Sequence, residues 1–223
     1  MNHIWKRLLY VVAGMTATPW VMAEGALAQL YAAKPPAGSS FVRVVNMDSS
    51  VLQIRIASGA PNKLERHQIV SDYAIVRKSG DVNVTLNGQS ANVPVKPGTY
   101  VTLVPKQREG RLIFDVLDDT HDRQDGLKAT LHFYNLASAC PVGRLEIVPS
   151  ATALFKEVKQ GNAIKRDVNP VSAKLNAGCD EAMSNVVELP ELRPGDHYSF
   201  FMLGTNKKPV LHGQISRTEA FKK

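Results

Sequence analysis

The residues that could carry out acyl chemistry are few, and their spacing completes no catalytic motif. Asp118-Asp119-Thr120-His121 reads Asp-x-x-His, the acid and base half of a motif that acetyl-transferring and acetyl-removing enzymes combine with a Gly-Asp-Ser nucleophile. The nucleophile half is missing from the sequence, because Gly195-Asp196 is followed by His197. Gly88-Gln89-Ser90 lacks the second glycine of a serine hydrolase elbow. We therefore predict no catalytic residues, and an acetyl esterase or transferase that uses Asp118 and His121 is the enzymatic alternative.

The sequence also offers no metal or cofactor motif. The histidines that follow the N-terminal segment are dispersed and have no ligand spacing such as His-x-x-x-His. They are His67, His121, His132, His197 and His212. We expect each on the surface or in a strand, although a folded sheet could bring distant ones together. Asp118 and Asp119 are interpreted as solvated carboxylates on a loop, and we predict neither a bound metal nor a cofactor.

The two cysteines, Cys140 and Cys179, predict one disulfide. Both fall in the second half of the chain, and an oxidising compartment favours pairing them. A bond that closes a loop of about 40 residues stabilises the fold by roughly 4 kcal/mol in the chain-entropy model. A reactive thiol is the alternative, but it needs a setting that lowers its pKa, and nothing adjacent to either cysteine suggests one.

The N-terminus predicts export from the cytoplasm. Lys6 and Arg7 precede an apolar stretch over residues 8–20, and Val21-Met22-Ala23 resembles a signal peptidase site before Glu24. An uncleaved anchor is the alternative, but the apolar run is interrupted and is shorter than the roughly 20 residues of a spanning helix. We therefore predict that residues 1–23 are a cleaved signal peptide.

The charge balance argues against a nucleic-acid partner. The chain has 27 Lys and Arg against 20 Asp and Glu, and without the two basic residues of the signal peptide the net charge is +5 (27 − 2 − 20). This excess is scattered, and no run of Lys or Arg is longer than two. A weak attraction to an anionic polymer or to lipid headgroups remains open.

Hydrophobic periodicity predicts an all-β fold. Apolar and polar residues alternate over Leu52 to Ile56 and again over Val82 to Leu86, as in strands with one face in water. Asn87-Gly88 separates two such runs, as a tight hairpin would. Leu154 to Lys159 and Cys179 to Ser184 have room for a short helical turn at most.

The chain carries one pattern twice, which predicts two domains. Phe41-Val42-Arg43-Val44-Val45-Asn46 is echoed by Leu131-His132-Phe133-Tyr134-Asn135, and Pro97-Gly98-Thr99-Tyr100 by Pro194-Gly195-Asp196-His197-Tyr198. The offsets are 89 between the asparagines (135 − 46) and 97 between the prolines (194 − 97). Chance reuse of strand-end asparagines and Pro-Gly turns is the alternative.

We predict two tandem antiparallel β-sandwich domains of an Ig-like or jelly-roll-like kind. The predicted segments are a signal peptide (1–23), an N-terminal extended segment (24–38), a first sandwich (39–118), a short polar linker (119–126) and a second sandwich (127–221).

The start of the predicted mature chain resembles a known family. Ala28-Gln29-Leu30-Tyr31, then Pro35-Pro36-Ala37-Gly38-Ser39-Ser40 and the strand from Phe41 to Asn46, are similar to the opening of the alginate O-acetylation protein F family. The resemblance is strongest over the 17 residues from Leu30 to Asn46, and in the second half it is architectural only. It implies a periplasmic protein of a Gram-negative exopolysaccharide system, built of two β-sandwiches.

The resemblance also implies a function, which is a non-catalytic adaptor in the O-acetylation of an exported polysaccharide. Its partners would be a membrane-bound O-acyltransferase and periplasmic SGNH-like acetyltransferases, with the polysaccharide as a further candidate. Within the resembling segment, Tyr31, Phe41 and Arg43 are the candidate partner contacts. Core packing of the two aromatic residues and solvent exposure of Arg43 on a sheet surface are the alternatives.

Two questions stay open at this point. The cysteine pair is not a hallmark of the alginate members, so the chain could instead belong to a related branch that serves cellulose acetylation. A polysaccharide-binding module is the second functional alternative. The only tryptophans, Trp5 and Trp20, lie in the predicted signal peptide, which argues against a typical aromatic sugar platform.

Overall fold

Every regular element in the described part of the chain is a β-strand, and the strands follow the alternating segments of the sequence. The computed structural model describes residues 34–48, 50–77, 80–121 and 125–221. The predicted signal peptide and Tyr31 lie outside these residues. The strands are β1 (Ser40–Val44), β2 (Leu52–Ile56), β3 (Asn62–Leu64), β4 (Ala74–Val76), β5 (Gly80–Leu86), β6 (Gln89–Val95), β7 (Tyr100–Arg108), β8 (Arg111–Asp118), β9 (Ala129–Asn135), β10 (Val142–Val148), β11 (Thr152–Lys159), β12 (Asn162–Val168), β13 (Ala173–Cys179), β14 (Ala182–Met183), β15 (Val187–Leu189), β16 (His197–Thr205) and β17 (Lys208–Ile215).

The first half consists of two facing sheets. One has the strand order β4-β1-β7-β8 and the other has the order β3-β2-β5-β6. Their facing sides bury the apolar residues of the alternating runs, among them Ile54, Val84 and Leu103. The intervening polar residues, such as Arg55 on β2, point to water. The alternating pattern therefore places apolar side chains between the two sheets and polar side chains on the solvent-exposed face.

The second half repeats this plan. One sheet has the order β12-β9-β16-β17, and the other has the order β11-β10-β13-β14, with β15 paired to β13. Phe133, Leu145 and Phe200 are fully buried between them. Cys140 and Cys179 form a disulfide in this core, with their Cα atoms 5.8 Å apart, so the predicted pairing is confirmed.

The all-β sandwich prediction is confirmed, with one feature that the sequence did not reveal. Most neighbouring strands are antiparallel, but β1 pairs with β7 in parallel, and β9 pairs with β16 in the same way. In each half, the chain segment that connects these two strands contributes strands to the facing sheet. This long connection makes the parallel pairing possible. The echoed segments form these strands, so that Arg43 lies beside Thr102 and His132 lies beside Ser199.

The two halves pack through the sheets that contain β1 and β9, which gives four layers of sheet. A separate apolar cluster lies between these two sheets. It consists of Val45, Ile69, Val70, Val104, Tyr134, Leu136, Phe201 and Leu203. Because β9 is covered on both faces, all of its residues from Ala129 to Asn135 are buried. The described residues from Lys34 onward form one compact unit.

Across the described residues, no helix has the length and apolar character needed to cross a membrane.

Candidate functional site

Arg43 lies at the centre of the contact between the two halves. Val42 and Val44 point into the first core, so the intervening Arg43 side chain points the opposite way, toward the second half. Only 1% of Arg43 is exposed. The sequence predicted a partner contact or a solvated surface residue at this position. The outer face of β1 is not solvated, because the second half covers it.

The Arg43 guanidinium donates four hydrogen bonds, and three of them reach the second half. Nε donates to Oγ1 of Thr102, in the first half, at 2.7 Å. In the second half, Nη1 donates to Oγ of Ser216 at 3.0 Å. Nη2 donates to Oη of Tyr134 at 2.7 Å and to Oγ of Ser199 at 3.0 Å. A guanidinium presents five donors in a fixed fork, so a single side chain can bind both halves at once.

Asp119 is the buried counter-ion of Arg43. Its Oδ2 lies 3.6 Å from Nη2 of Arg43, and both side chains are 1% exposed. Oδ1 accepts a hydrogen bond from the hydroxyl of Tyr134 at 2.6 Å, and Oδ2 accepts from the hydroxyls of Tyr73, at 2.7 Å, and Thr102. A buried ion pair is tolerated when its remaining polar atoms are satisfied in this way. The interpretation of Asp119 as a solvated loop carboxylate is therefore wrong.

The repeat brings polar residues to equivalent positions in the two halves. The two sets are Arg43, Thr102 and Asp119 in the first half and His132, Ser199 and Ser216 in the second, related by the offsets of 89 and 97. The first set carries an ion pair, whereas the second set is uncharged. An arginine in place of His132 would put a second cation into the same buried layer, where repulsion is strong. We call these six residues the junction centre.

Each half also extends its last strand onto an edge of the other half. Past β17, Thr218 forms a parallel bridge with Tyr73, which immediately precedes β4. Past β8, Nε2 of His121 lies 3.3 Å from the carboxylate of Asp167 on β12. The two halves are thus joined at the apolar cluster, at the junction centre and by these two crossing segments.

A cavity of about 240 Å³ opens beside the junction centre. Residues of both halves form its wall, namely Tyr73, Gly98, Tyr100, Asp119, Thr120, His121, His132, His197, Ser216 and Thr218. The fold therefore gathers three histidines that are far apart in the sequence, and the rings of His132 and His197 have centroids 6.1 Å apart. Even so, residues 34–48, 50–77, 80–121 and 125–221 contain no group of three or more potential ligands that could hold a metal ion.

His132 is held in its neutral form. Burial first, and then the positive charge of Arg43, lower the pKa of His132 from 6.5 to about 3. Burial also lowers the pKa of His197. An imidazole with so low a pKa is a weak proton acceptor and a poor general base.

The serines of the junction centre are not set up as nucleophiles. Ser199 and Ser216 accept hydrogen bonds from Arg43, and their hydroxyl oxygens lie 2.9 Å apart. A permanently charged donor withdraws electron density from a hydroxyl oxygen, whereas an activated serine needs a neighbouring base. The contacts therefore fit a structural network.

The Asp-x-x-His match of the sequence is divided between separate partners. His121 contacts Asp167, as described above, while Oδ1 of Asp118 accepts a hydrogen bond from the backbone N–H of Thr120 at 2.8 Å. Partial burial raises the pKa of Asp118, but hydrogen bonds from the side chain and the backbone N–H of Thr120, together with nearby lysines, lower it below its ordinary value. Neither contact orients His121 toward a serine.

The aromatic residues of the cavity are packed against other protein groups. Phe41 stacks on Tyr100 with centroids 4.1 Å apart, and Tyr73 meets Tyr100 edge to face at 5.2 Å. The guanidinium of Arg43 lies over the Tyr73 ring at 4.4 Å from its centroid. One ring face of Tyr100 and one of Tyr73 are thus covered within the protein, which reduces the aromatic surface open to a sugar. Phe41 is half-buried, and its predicted role as a partner contact stays a prediction.

Sequence reasoning missed the burial of Asp119, and it missed the residues that bind Arg43 and Asp119, which are Tyr73, Thr102, Tyr134, Ser199 and Ser216. A usable signal did exist for Asp119, since it stands 97 residues before Ser216, the same offset as between the Pro-Gly turns. Tyr73 follows no pattern of this kind.

Comparison with known proteins decides the family. A family model described as alginate O-acetyl transferase AlgF matches residues 9–197, which is well over half of the chain. The chain belongs to the AlgF family. This confirms the resemblance found between Leu30 and Asn46.

The AlgF family also contains a curated relative of similar length. It is the alginate biosynthesis protein AlgF of Pseudomonas aeruginosa, which is 27% identical over 210 residues, covering 93% of this chain and 91% of the relative. Both the family and this relative are named for alginate, and neither name refers to cellulose.

Two solved structures show weaker similarity. The N-terminal domain of AlgF from P. aeruginosa is 28% identical and covers 37% of this chain and 98% of that domain, with a TM-score of 0.30. A family CBM26 module from Eubacterium rectale Amy13K, solved in complex with maltoheptaose, is 11% identical and covers 82% of this chain and 100% of that module, with a TM-score of 0.27. Neither TM-score supports an inference about fold or ligand.

Proposed function

We propose that this protein is a non-catalytic periplasmic accessory protein in the O-acetylation of alginate. It would hold the membrane-bound O-acyltransferase that supplies acetyl groups close to the periplasmic acetyltransferases that attach them to the polymer. The observation that carries the proposal is AlgF family membership across residues 9–197, together with a full-length relative named for alginate biosynthesis.

The chemistry of the junction supports an accessory role over an enzymatic one. The histidine beside Arg43 is neutral and weakly basic, and the nearby serines accept hydrogen bonds from a cation. These groups fit the role of holding two sandwiches together. Phe41 covers one face of Tyr100 and Arg43 covers one face of Tyr73, which disfavours a sugar-binding platform at these rings.

The edges of the sandwiches offer a means of binding partner proteins. Within the part of the chain that the structure describes, strand β8 pairs with β7 on one side, and no strand of its sheet lies on its other side. Ile113 is 36% exposed and Val116 is 41% exposed on this strand. Unpaired backbone groups beside exposed apolar side chains can accept an extended segment of another protein.

The role in acetylation is tested by deleting the gene in the bacterium that encodes it. We expect the exported alginate to carry less ester-bound acetate per uronate, and a plasmid-borne copy of the gene to restore it. Unchanged acetate in the deletion strain would overturn the proposal. Affinity purification of the tagged protein from envelope extracts should recover the O-acyltransferase or an acetyltransferase, and recovery of neither would overturn the adaptor role.

The non-catalytic part of the proposal is tested with purified protein and a chromogenic acetyl ester. We expect no turnover above the buffer rate. Turnover that disappears in a His121→Ala variant, but persists in a variant of the exposed His67, would show that the protein is an esterase. Fractionation of cells that express the tagged protein should place it with periplasmic markers.

A further inference from the structure

Strand β8 forms one edge of its sheet, and the hairpin that joins it to β7 determines which of its backbone groups point away from β7. Glu109 and Gly110 have positive φ values of 52° and 74°, as in a two-residue hairpin turn. Arg108 and Arg111 close this turn as a hydrogen-bonded pair, and bonded pairs then alternate with non-bonded pairs along the strands. The residues of β8 that direct their N–H and C=O groups outward are Leu112, Phe114, Val116 and Asp118.

The second half shows how the equivalent edge is covered. Strand β17 is the repeat of β8 at the offset of 97, which makes Leu211 the equivalent of Phe114 (211 − 114). The side chain of Asn185 bonds both outward backbone groups of Leu211, because Nδ2 donates to the carbonyl oxygen and Oδ1 accepts from the N–H, each at 3.0 Å. Within the described ranges, no side chain and no neighbouring strand bonds the same groups of Phe114. The edge of β8 is therefore open at the position where the edge of β17 is closed.

The second half leaves the turn end of β8 uncovered. Strand β12 begins beside Asp115, which lines a cavity together with Gly161. From there β12 runs away from the hairpin turn, since Asp167 near its far end contacts His121, which follows β8. Residues 111–113 therefore project past the covering sheet, with room for another strand beside them.

The sequence of this segment is complementary to itself when two copies run antiparallel. With Ile113 of one copy opposite Ile113 of the other, each Arg111 lies opposite an Asp115. Leu112 and Phe114, which direct their backbone groups outward, then form the hydrogen-bonded pairs. Side chains alternate along a strand, so Arg111, Ile113 and Asp115 share one face. Two pairs of opposite charge would thus flank an apolar contact between isoleucines that are 36% exposed in the single chain.

Neighbouring registers lose this match. When the pairing is moved by two residues, Arg111 lies opposite Leu117 in one direction and opposite Ile113 in the other. A shift by one residue would place a bonded residue opposite a non-bonded one, which needs a bulge. Asp115 also pairs with Lys106 of its own chain, and one carboxylate can accept from both cations.

We propose that the β8 edge binds the β8 edge of a second copy of this chain, so that two sheets join into one antiparallel sheet around a twofold axis at Ile113. The inference concerns self-association, and it does not rest on the proposed function. The paired segment is about five residues long, which is short for a permanent dimer, so the dimer dissociates on dilution.

Sedimentation of the purified protein over a wide range of concentration tests the proposal. We expect the sedimentation coefficient to rise with concentration toward that of a dimer. Arg111→Asp and Asp115→Arg each place like charges at both flanks and should weaken association by about tenfold or more. Arg55→Asp is the matched control, because Arg55 is exposed on the other sheet of the same half, and it should associate as the parent does.

Mixing the two charge variants separates complementarity from damage to the fold. In a mixed pair every flank again has opposite charges, so an equimolar mixture should recover the association that each variant alone has lost. No recovery between variants that keep the circular dichroism of the parent would overturn the proposal. A parent that stays monomeric up to millimolar concentration would also overturn it, and would leave the edge to another occupant such as residues 24–33 or a partner protein.

The substitution Ile113→Cys tests the register without depending on the strength of association. Directly opposite residues of a non-bonded pair have Cα atoms about 4.5 Å apart, which a disulfide can span. We expect a disulfide-linked dimer on mild oxidation. Val116→Cys is the control, because Val116 is 41% exposed on the same strand but would lie opposite Gly110 of the other copy. Equal cross-linking of the two variants, or none with Ile113→Cys, would overturn the proposal.

These measurements use purified protein, whereas the proposed function is tested by the acetate content of alginate from cells. Failure of the dimer would therefore leave the role in acetylation standing, and failure of that role would leave the dimer standing.

Discussion

Acidification should destabilise this protein, with His132 as a principal cause. His132 lies beside Arg43 between the two halves, and burial and that charge lower its pKa to about 3 in the folded protein. In the unfolded chain a histidine has a pKa near 6.5. Below this value the unfolded chain takes up a proton at His132 that the folded protein does not accept. The free energy of unfolding therefore falls as the pH drops from about 6.5 toward about 3.

The size of the effect follows from the two pKa values. Each pH unit between them changes the free energy of unfolding by about 1.4 kcal/mol. A change from pH 7.5 to pH 5 covers about 1.5 units of this window, so His132 alone should cost about 2 kcal/mol. The histidines at 197 and 212, whose pKa values are lowered by burial, act in the same direction.

Urea unfolding of the parent and of His132→Gln, followed by circular dichroism at both pH values, isolates this contribution. The glutamine variant should lose about 2 kcal/mol less than the parent between pH 7.5 and pH 5, whatever its stability at neutral pH. His67→Gln is the control, because it makes the same replacement at an exposed histidine outside the junction centre. If His132→Gln loses as much stability on acidification as the parent does, the account of His132 as a buried neutral imidazole is refuted.

Further predictions concern the core and the turns. Replacing Cys140 and Cys179 by alanine should lower the free energy of unfolding by about 4 kcal/mol, given their separation of 39 residues; an unchanged urea midpoint would contradict this. Gly143→Ala should cost about 1–3 kcal/mol, because a Cβ atom there would lie 3.0 Å from the Asn135 amide, which two hydrogen bonds hold in place, and would displace the terminal methyl of Met202. Gly126→Ala, with open space around it, should change the midpoint little, and equal losses in the two variants would argue against the packing explanation. Ala139→Gly should stabilise the protein by up to about 1 kcal/mol, because Ala139 has a φ of 55°, and a lower Tm in this variant would disprove that reasoning.

The sandwiches were predictable because their determinants are local. The alternation from Leu52 to Ile56 defines a buried face and a solvent-exposed face of the strand from adjacent residues alone. Asn87 likewise adopts the positive φ of 46° that a tight turn requires. The echoed strands contained a further signal that was not used. The near-continuous apolar run from Phe41 to Val45 is typical of a strand buried on both faces, as β1 is.

The repeat offsets could have placed Asp119 and Ser216 at equivalent positions, but the contacts of the junction centre could not be predicted, because its members meet only after both halves have folded. No local pattern distinguishes Asp119, which is buried, from its exposed neighbour Asp118. The three histidines of the cavity come from a loop and two different strands, and their proximity depends on how the halves pack. Arg43 lies between two valines, a pattern that suits both a strand with one face in water and a strand that carries a buried ion pair. Which of the two occurs depends on whether another sheet covers the outer face of β1.

The parallel pairing of β1 with β7 has a consequence for the order in which this protein can assemble. The two strands are 59 residues apart at the Arg43–Thr102 position, and β9 and β16 are separated by a similar distance. Neither sandwich can complete its parallel strand pair before the long segment between the two strands has been synthesised. The fold therefore has a high contact order and should form slowly. Until then the side of β1 that pairs with β7 is open to wrong partners, although β4 can already pair with its other side. A newly made chain is therefore most in need of a chaperone before its seventh strand arrives.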